Sequence, residues 1–234
     1  MSHMERVSTG VIGLDQLLRG GLPAGSMSLI LGAPGSGKST MGKQFLYEAL
    51  IRKTPALLVD TNESFDLARE TMASFEWDSS LLDLIVFVDC YSWRIGASNS
   101  AKYAGTPKNL TDLSLVVRDL LKTLVNPRSR LVIDSFSDFL IHAGPDQACK
   151  FLESLKARLA ERKVTTVVIL EDGLHEPKVN AAVEYIADGT IRMRYEETGR
   201  SLMVSRMLGT PVTLKWIPFS LARGIELAAA DYFR

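Results

Sequence analysis

Residues 32–40 combine glycines, a lysine and hydroxyl side chains at a spacing that suits phosphate chemistry. They fit the pattern G-x-x-x-x-G-K-[ST] in full, with an apolar run before them and helical spacing after them. The glycines let backbone N–H groups turn inward around phosphates, Lys38 adds a positive charge for binding and catalysis, and Ser39 offers a hydroxyl to Mg²⁺. A glycine-rich turn that matches by chance is the alternative, and the strand-and-helix context argues against it. The motif predicts a P-loop whose ATP-binding residues are Gly32, Pro34, Gly35, Ser36, Gly37, Lys38, Ser39 and Thr40.

Two acidic residues follow apolar runs and could complete a site that hydrolyses Mg²⁺-ATP. Asp134 ends the run 131–133, the Walker B pattern, and is expected to hold Mg²⁺ through a water, together with Ser39. Because the carboxyl ends of parallel strands share one edge, Glu63 is expected to reach the γ-phosphate and to orient the attacking water as a base. The alternatives are that Asp134 caps a turn, that Glu63 serves a helix dipole, or that Asp60 is the base.

The elements that must position these groups alternate along the chain. Between apolar runs lie segments with helical spacing, one of which begins after Ser64 as a predicted N-cap. Nearly continuous apolar runs predict buried strands at 26–31, 56–60, 84–89, 130–134 and 164–170, and alternating tail segments predict strands at 189–195, 201–207 and 213–216. The pattern predicts an α/β fold with a mainly parallel central sheet, helices on both faces and antiparallel C-terminal strands.

Composition and charge limit the class of protein. The 234 residues suffice for one α/β domain, expected over residues 5–234, and residues 1–4 are interpreted as a cloning scar. A formal net charge of zero weakens the case for a dedicated nucleic-acid binder. Cys90 and Cys149 are expected to be free thiols in a reducing cytosol. We find no signal peptide and no apolar run near the about 18 residues of a membrane span, so a cytoplasmic location is predicted.

Motifs outside the P-loop resemble those of the KaiC-like branch of the RecA superfamily. The likeness extends from about Arg6 to Glu226, and it is strongest for single-domain archaeal KaiC-like proteins, sometimes described as RadA paralogues. It implies a RecA-like fold, ATP bound with Mg²⁺, and homo-oligomeric rings or filaments with ATP at or near the subunit interfaces. The segments that carry it are residues 8–10, 13–15, 17–18, 20–25, 130–137, 183–192 and 204–219.

The resemblance also shows where this chain departs from the family pattern. The family commonly has two adjacent glutamates after the second strand, whereas this chain has Asn62 followed by Glu63. An amide cannot take a proton. The family often carries Lys-x-Arg on a tail strand that reaches a neighbour's γ-phosphate, and here the pair becomes Arg206 and Leu208. Arg206 is expected to keep a contact in trans, but the arginine finger, which can contribute on the order of 10³-fold or more to the rate, is lost.

A polar residue at the end of the fifth strand often senses the γ-phosphate in RecA-like proteins. The matching region is 170–172, and Glu171 within it would repel a phosphate unless Mg²⁺ or a basic group lies between them. The two loops that bind DNA in RecA recombinases correspond to residues 135–147 and 171–180, and neither is basic. Residues 90–108 interleave basic and aromatic side chains, which either form a stacking platform for nucleic acid or pack onto the domain.

Three functions are compatible with these residues. The first is a slow Mg²⁺-dependent ATPase that yields ADP and phosphate and acts as a KaiC/RecA-type regulatory or assembly switch. The second is a recombination or repair accessory that binds single-stranded DNA, and the third is an ATP-binding scaffold that does not hydrolyse. The intact P-loop beside a reduced catalytic set favours the first.

Overall fold

Two β-sheets organise the residues that the computed structural model describes, which are 4–96, 101–122 and 126–227. A short antiparallel ribbon pairs β1 (Arg6–Val7) with β2 (Leu22–Pro23). The strands of the large sheet are β3 (Met27–Gly32), β4 (Ala56–Asp60), β5 (Val86–Asp89), β6 (Tyr103–Ala104), β7 (Arg130–Asp134), β8 (Thr165–Glu171), β9 (Gly189–Glu196), β10 (Gly199–Met207), β11 (Ile217–Leu221) and β12 (Ile225–Leu227).

The large sheet is mainly parallel. Its strand order is β12-β11-β10-β9-β3-β8-β7-β4-β5-β6. All neighbours from β9 to β6 are parallel, and β10, β11 and β12 extend the sheet as an antiparallel meander. The central strands consist almost wholly of buried residues, because parallel strands covered on both faces have no exposed side. The predicted fold class is confirmed.

Helices cover both faces of the large sheet. Side chains of successive strand residues point to opposite faces, so Leu29 and Leu31 belong to one hydrophobic cluster and Ile30 to the other. The helices are α1 (Ile12–Leu17), α2 (Lys38–Ile51), α3 (Phe65–Ala73), α4 (Ser79–Leu82), α5 (Leu110–Leu121), α6 (Phe136–Ala143), α7 (Pro145–Glu161) and α8 (Pro177–Ile186). Among the described residues, no helix combines the length and apolarity needed to span a membrane.

Two of the segments interpreted from the sequence form a different kind of structure. Residues 135–147, interpreted as a loop, contain all of α6, because Phe136, Phe139 and Leu140 form a buried helical face and Ser135 caps its start. The predicted strand at 213–216 is wrong. Its alternation has strand periodicity, but Lys215 N bonds to Thr213 O in a tight turn, and the strand begins only at Ile217.

Candidate functional site

Four strands bring the predicted site residues to one edge of the sheet. The register of β4 and β7 sets Asp60 beside Asp134, and the register of β3 and β8 sets Gly32 beside Glu171. These residues occupy the carboxyl ends of their strands, where ligands bind in open parallel α/β sheets. The edge therefore unites residues that are far apart in the sequence.

The P-loop connects β3 to α2, and its glycines are required by its geometry. Gly35 and Gly37 have φ angles of 77° and 97°, which other residues rarely adopt. A Cβ atom on Gly32 would lie 2.3 Å from the carbonyl oxygen of Met193. Pro34 and Gly35 are exposed at the tip, whereas the hydroxyl of Ser36 is buried inside the loop without a partner in the described part of the chain. The loop thus combines the unpartnered hydroxyl of Ser36 with a backbone position, Gly32, that has no room for a Cβ atom.

Helix α2 begins directly at the P-loop with Lys38, Ser39 and Thr40 in its first turn. Its N-terminus faces the loop and favours negative charge there. The ammonium group of Lys38 is buried and donates to Ala33 O at 2.9 Å. Its Nζ also lies 2.9 Å from Glu171 Oε2, which forms an ion pair with it. Lys38 is the basic group beside Glu171. The carboxylate of Glu171 therefore pairs with the same ammonium group that the motif predicts to bind phosphates.

Ser39 and Asp134 face each other across the site. A hydrogen bond from Ser39 favours ionised Asp134, although burial outweighs it and raises the pKa of that carboxyl above its ordinary value. Asn62 Nδ2 donates to Asp134 Oδ1 at 2.8 Å. In the described ranges no cluster of three or more His, Cys, Asp or Glu side chains could hold a metal by itself. The hydroxyl and carboxylate oxygens suit Mg²⁺ that takes its remaining ligands from phosphates and water.

Asp60 and Glu63 have different environments. Asp60 is fully buried, and its Oδ1 accepts from the backbone N–H groups of Asn62 at 2.8 Å and Glu63 at 3.0 Å. Burial raises its pKa well above the usual range, and the nearby charge of Asp134 raises it further. Glu63 follows on the turn that Asp60 holds, with its carboxylate partly exposed. Asp60 therefore orders the turn, whereas the carboxylate of Glu63 remains partly accessible to solvent.

Lys43 is a site residue that the sequence interpretation missed. It lies on α2, its side chain is buried, and its Nζ is 2.6 Å from Glu63 Oε2. The available signal was its spacing. Lys43 is four residues after Ser39, which places both on one face of a helix.

Two arginines of strand β10, Arg200 and Arg206, donate hydrogen bonds to carbonyl groups of this same chain. The guanidinium of Arg206 donates to Glu184 O and, at 2.6 Å, to Ala187 O, at the C-terminal end of α8. Leu208 is 47% exposed. The contact of Arg206 with a neighbour's phosphate stays a prediction, and it would require the guanidinium to leave these carbonyls. Arg200, which the sequence interpretation did not single out, donates from Nε to Gly35 O at 2.9 Å.

The basic and aromatic residues of the segment 90–108 pack onto the domain where they are described. Arg94 donates to Thr61 O and forms an ion pair with Asp138 at 2.9 Å. The ring of Trp93 contacts both Lys108, whose Nζ is 4.5 Å from the ring centroid, and the ring of His142, whose centroid is 5.3 Å away. These contacts agree with the packing alternative. Residues 97–100 and the tail aromatics Tyr232 and Phe233 lie outside the described residues.

Known proteins resemble this chain over nearly its whole length. The family described as "ATPase: KaiC" matches residues 7–230. A UPF0273 protein of Methanopyrus kandleri is 31% identical over 98% of this chain and 94% of its own length, and one of Methanocaldococcus jannaschii is 33% identical over 93% of each. The crystal structure of a KaiC-like protein from Pyrococcus horikoshii superposes with a TM-score of 0.79 at 26% identity, covering 97% of this chain and 100% of that one.

Proposed function

Since this chain belongs to the KaiC ATPase family, we propose that it binds Mg²⁺-ATP at the P-loop and hydrolyses it slowly to ADP and phosphate. One observation carries the proposal. The first turn of α2 presents Lys38 and Ser39 to the sheet edge where Asp134 and Glu63 also lie. The groups proposed to bind phosphate, to hold the metal and to orient water thus lie at the same edge of the sheet.

Each residue has a distinct task in this proposal. Lys38 and the backbone N–H groups of the P-loop bind the β- and γ-phosphates, and Arg200 holds the tip of the loop through Gly35 O. Ser39 and Asp134 would hold Mg²⁺, which supplies charge neutralisation at the phosphates when bound. Glu63 orients a water and accepts its proton.

Two features support a slow reaction. Asn62 uses its amide to donate to Asp134, so the position where the family commonly has the first of two glutamates provides a donor and no base. Glu171 is paired with Lys38, so ATP must displace a carboxylate before its phosphates reach the ammonium group. A site that binds well and turns over slowly suits a regulatory or assembly switch, with nucleotide at or near the interfaces of a homo-oligomer.

Phosphate release by wild type, Lys38→Ala and Glu63→Gln tests the proposal, together with the affinity for a fluorescent ATP analogue. Lys38→Ala is expected to weaken binding about tenfold or more, because a charged hydrogen bond is lost. Glu63→Gln is expected to bind normally and to lose turnover. Equal phosphate release by wild type and Lys38→Ala would refute hydrolysis at this site. Tight binding without turnover would leave the non-hydrolysing scaffold, and light scattering with and without ATP reports assembly.

A further inference from the structure

Helix geometry directs Lys43 toward the nucleotide end of α2. Ser39 and Lys43 are related by i and i+4, and helical side chains lean toward the N-terminus of their helix. The ammonium group of Lys43 accordingly sits among the strand-end carboxylates. Its charge opposes the effect of burial on the pKa values of both Asp60 and Asp134. Lys43 is therefore part of the charged edge of the sheet.

Because Lys43 is buried, its ammonium group needs an anionic partner. The side chain is only 2% exposed, and a buried ammonium group without a partner is costly. Helix α2 packs against β4, β7 and β8, so the group is held on a rigid element. The partner, Glu63, sits on the turn after β4, and its carboxylate is partly exposed. A fixed cation thus holds a carboxylate that would otherwise sample several rotamers.

We propose that Lys43 is a positioning residue for hydrolysis, an inference that rests on the ATPase function proposed above. Lys43 binds Glu63 Oε2, and Oε1 of the same carboxylate remains to accept the proton of the attacking water. In this step the water oxygen bonds to the γ-phosphorus as the bond to the bridging oxygen breaks. The electron pair leaves with ADP, and the proton passes to Glu63. Lys43 keeps its own proton throughout.

Lys43 lies too far from Lys38 along the helix to be expected to bind the same phosphates. It follows Lys38 by five residues, which is about 7.5 Å along the helix axis. Loss of Lys43 should therefore change the rate of hydrolysis and leave ATP affinity nearly unchanged. A side chain that serves only to fill the core would instead alter stability with no special relation to Glu63.

The experiment measures single-turnover hydrolysis at saturating Mg²⁺-ATP, affinity for a fluorescent ATP analogue, and thermal unfolding. For Lys43→Met we expect the rate to fall on the order of tenfold to a hundredfold, because the base loses its orientation, with affinity within about twofold. Lys43→Arg, which keeps the charge, should recover much of the rate. In the double variant with Glu63→Gln, Lys43→Met should have no further effect.

Lys156→Met is the control, in an ion pair of the same length whose lysine is more exposed, at 29%. Lys156 pairs with Asp188, also at 2.6 Å, and Asp188 binds the backbone N–H of Met27 at the opposite edge of the sheet. We expect this control to lower stability and to leave hydrolysis unchanged. An equal loss of hydrolysis in Lys156→Met and Lys43→Met would show a general effect of removing an ion pair and would overturn the role.

A Lys43→Met variant that is folded and hydrolyses at the wild-type rate would also overturn the inference, as would fully additive effects with Glu63→Gln. Should Lys43→Met fail to fold, Lys43→Arg and Lys43→Gln decide. The first should retain hydrolysis, the second should lose it, and equal rates would count against the proposal. Absence of turnover in wild type, with intact ATP binding, would instead refute the hydrolytic function on which the inference rests.

Discussion

Helix α2 carries two buried lysines that look alike and that we expect to behave differently. Lys38 is 4% exposed and lies 2.9 Å from Glu171, which is 25% exposed, whereas Lys43 is 2% exposed and lies 2.6 Å from Glu63, which is 23% exposed. Burial and distance do not distinguish the two pairs. What distinguishes them is the P-loop, because a phosphate bound there can replace Glu171 on Lys38. In the proposed function, no group of the nucleotide replaces Glu63 on Lys43.

The two pairs therefore suggest different roles for the same kind of contact. The pair of Lys38 and Glu171 would have to open before a phosphate reaches Lys38, whereas its hydrogen bond to Ala33 O would not have to break. The pair of Lys43 and Glu63 can persist through the reaction. A buried ion pair near a nucleotide site can thus compete with the ligand or orient a catalytic group, and the location of the incoming charge decides which.

Neutralising Glu63 should produce the largest change and gives the strongest test of the comparison. Glu63→Gln is expected to lower single-turnover hydrolysis about 100-fold or more, because the amide accepts no proton. ATP affinity should hardly change, since Glu63 does not occupy the phosphate cradle. Rapid-quench measurement of phosphate and a binding titration check both parts. A large loss of affinity with an unchanged rate would reverse the assignments of the two glutamates.

Neutralising Glu171 should have a smaller effect of the opposite kind. Glu171→Gln removes the competing charge from Lys38, and a partly exposed ion pair is worth about 1 kcal/mol, so ATP should bind about fivefold more tightly. Isothermal titration calorimetry at fixed Mg²⁺ measures this change. Glu176→Gln makes the same substitution at a site that is 69% exposed in the same β8–α8 segment and should not alter affinity. Weaker binding by Glu171→Gln would show that the carboxylate assists the nucleotide.

A change at Asn62 should have the smallest effect. It tests whether the contact of Asn62 with Asp134, the proposed Mg²⁺ residue, is independent of the pair of Lys43 and Glu63. Asn62→Leu removes the 2.8 Å hydrogen bond to Asp134 and should cost about 1 kcal/mol of unfolding free energy. For a chain of this length that corresponds to a fall in Tm of about 2–4 °C. Scanning calorimetry without nucleotide measures it. A hydrolysis rate as low as that of Glu63→Gln would mean that Asn62, too, positions the base.

The sequence predicted those parts of the site that depend on local pattern. The P-loop motif, the apolar runs that end at Asp60 and Asp134, and the N-cap of Ser64, which accepts from Leu67 N, depend on neighbours in the chain. Because parallel strand ends share an edge, the convergence of Glu63 and Asp134 followed without knowledge of the register. The family motifs extended this prediction to the whole sheet.

The parts that the sequence did not predict depend on tertiary contacts. A lysine within a helix usually faces solvent, and only the packing of α2 on the sheet shows that Lys43 is buried. The partner of Lys38 depends on the register that sets Gly32 beside Glu171. Strand β11 was not predicted. It contains Pro218, which has no N–H to donate, but β12 pairs only from Phe219 onward, so Pro218 lies outside the ladder on that side.

The contact between Glu171 and Lys38 gives the P-loop lysine a counter-ion from its own chain. Entry of a nucleotide is then an exchange of one anion for another at a fixed cation, and not a simple addition of charge. A small anion such as chloride offers a single contact and gains little by displacing a tethered carboxylate. A polyphosphate can contact the ammonium group and the backbone N–H groups together. The same carboxylate would thus favour ligands that carry several phosphates over single anions at this cradle.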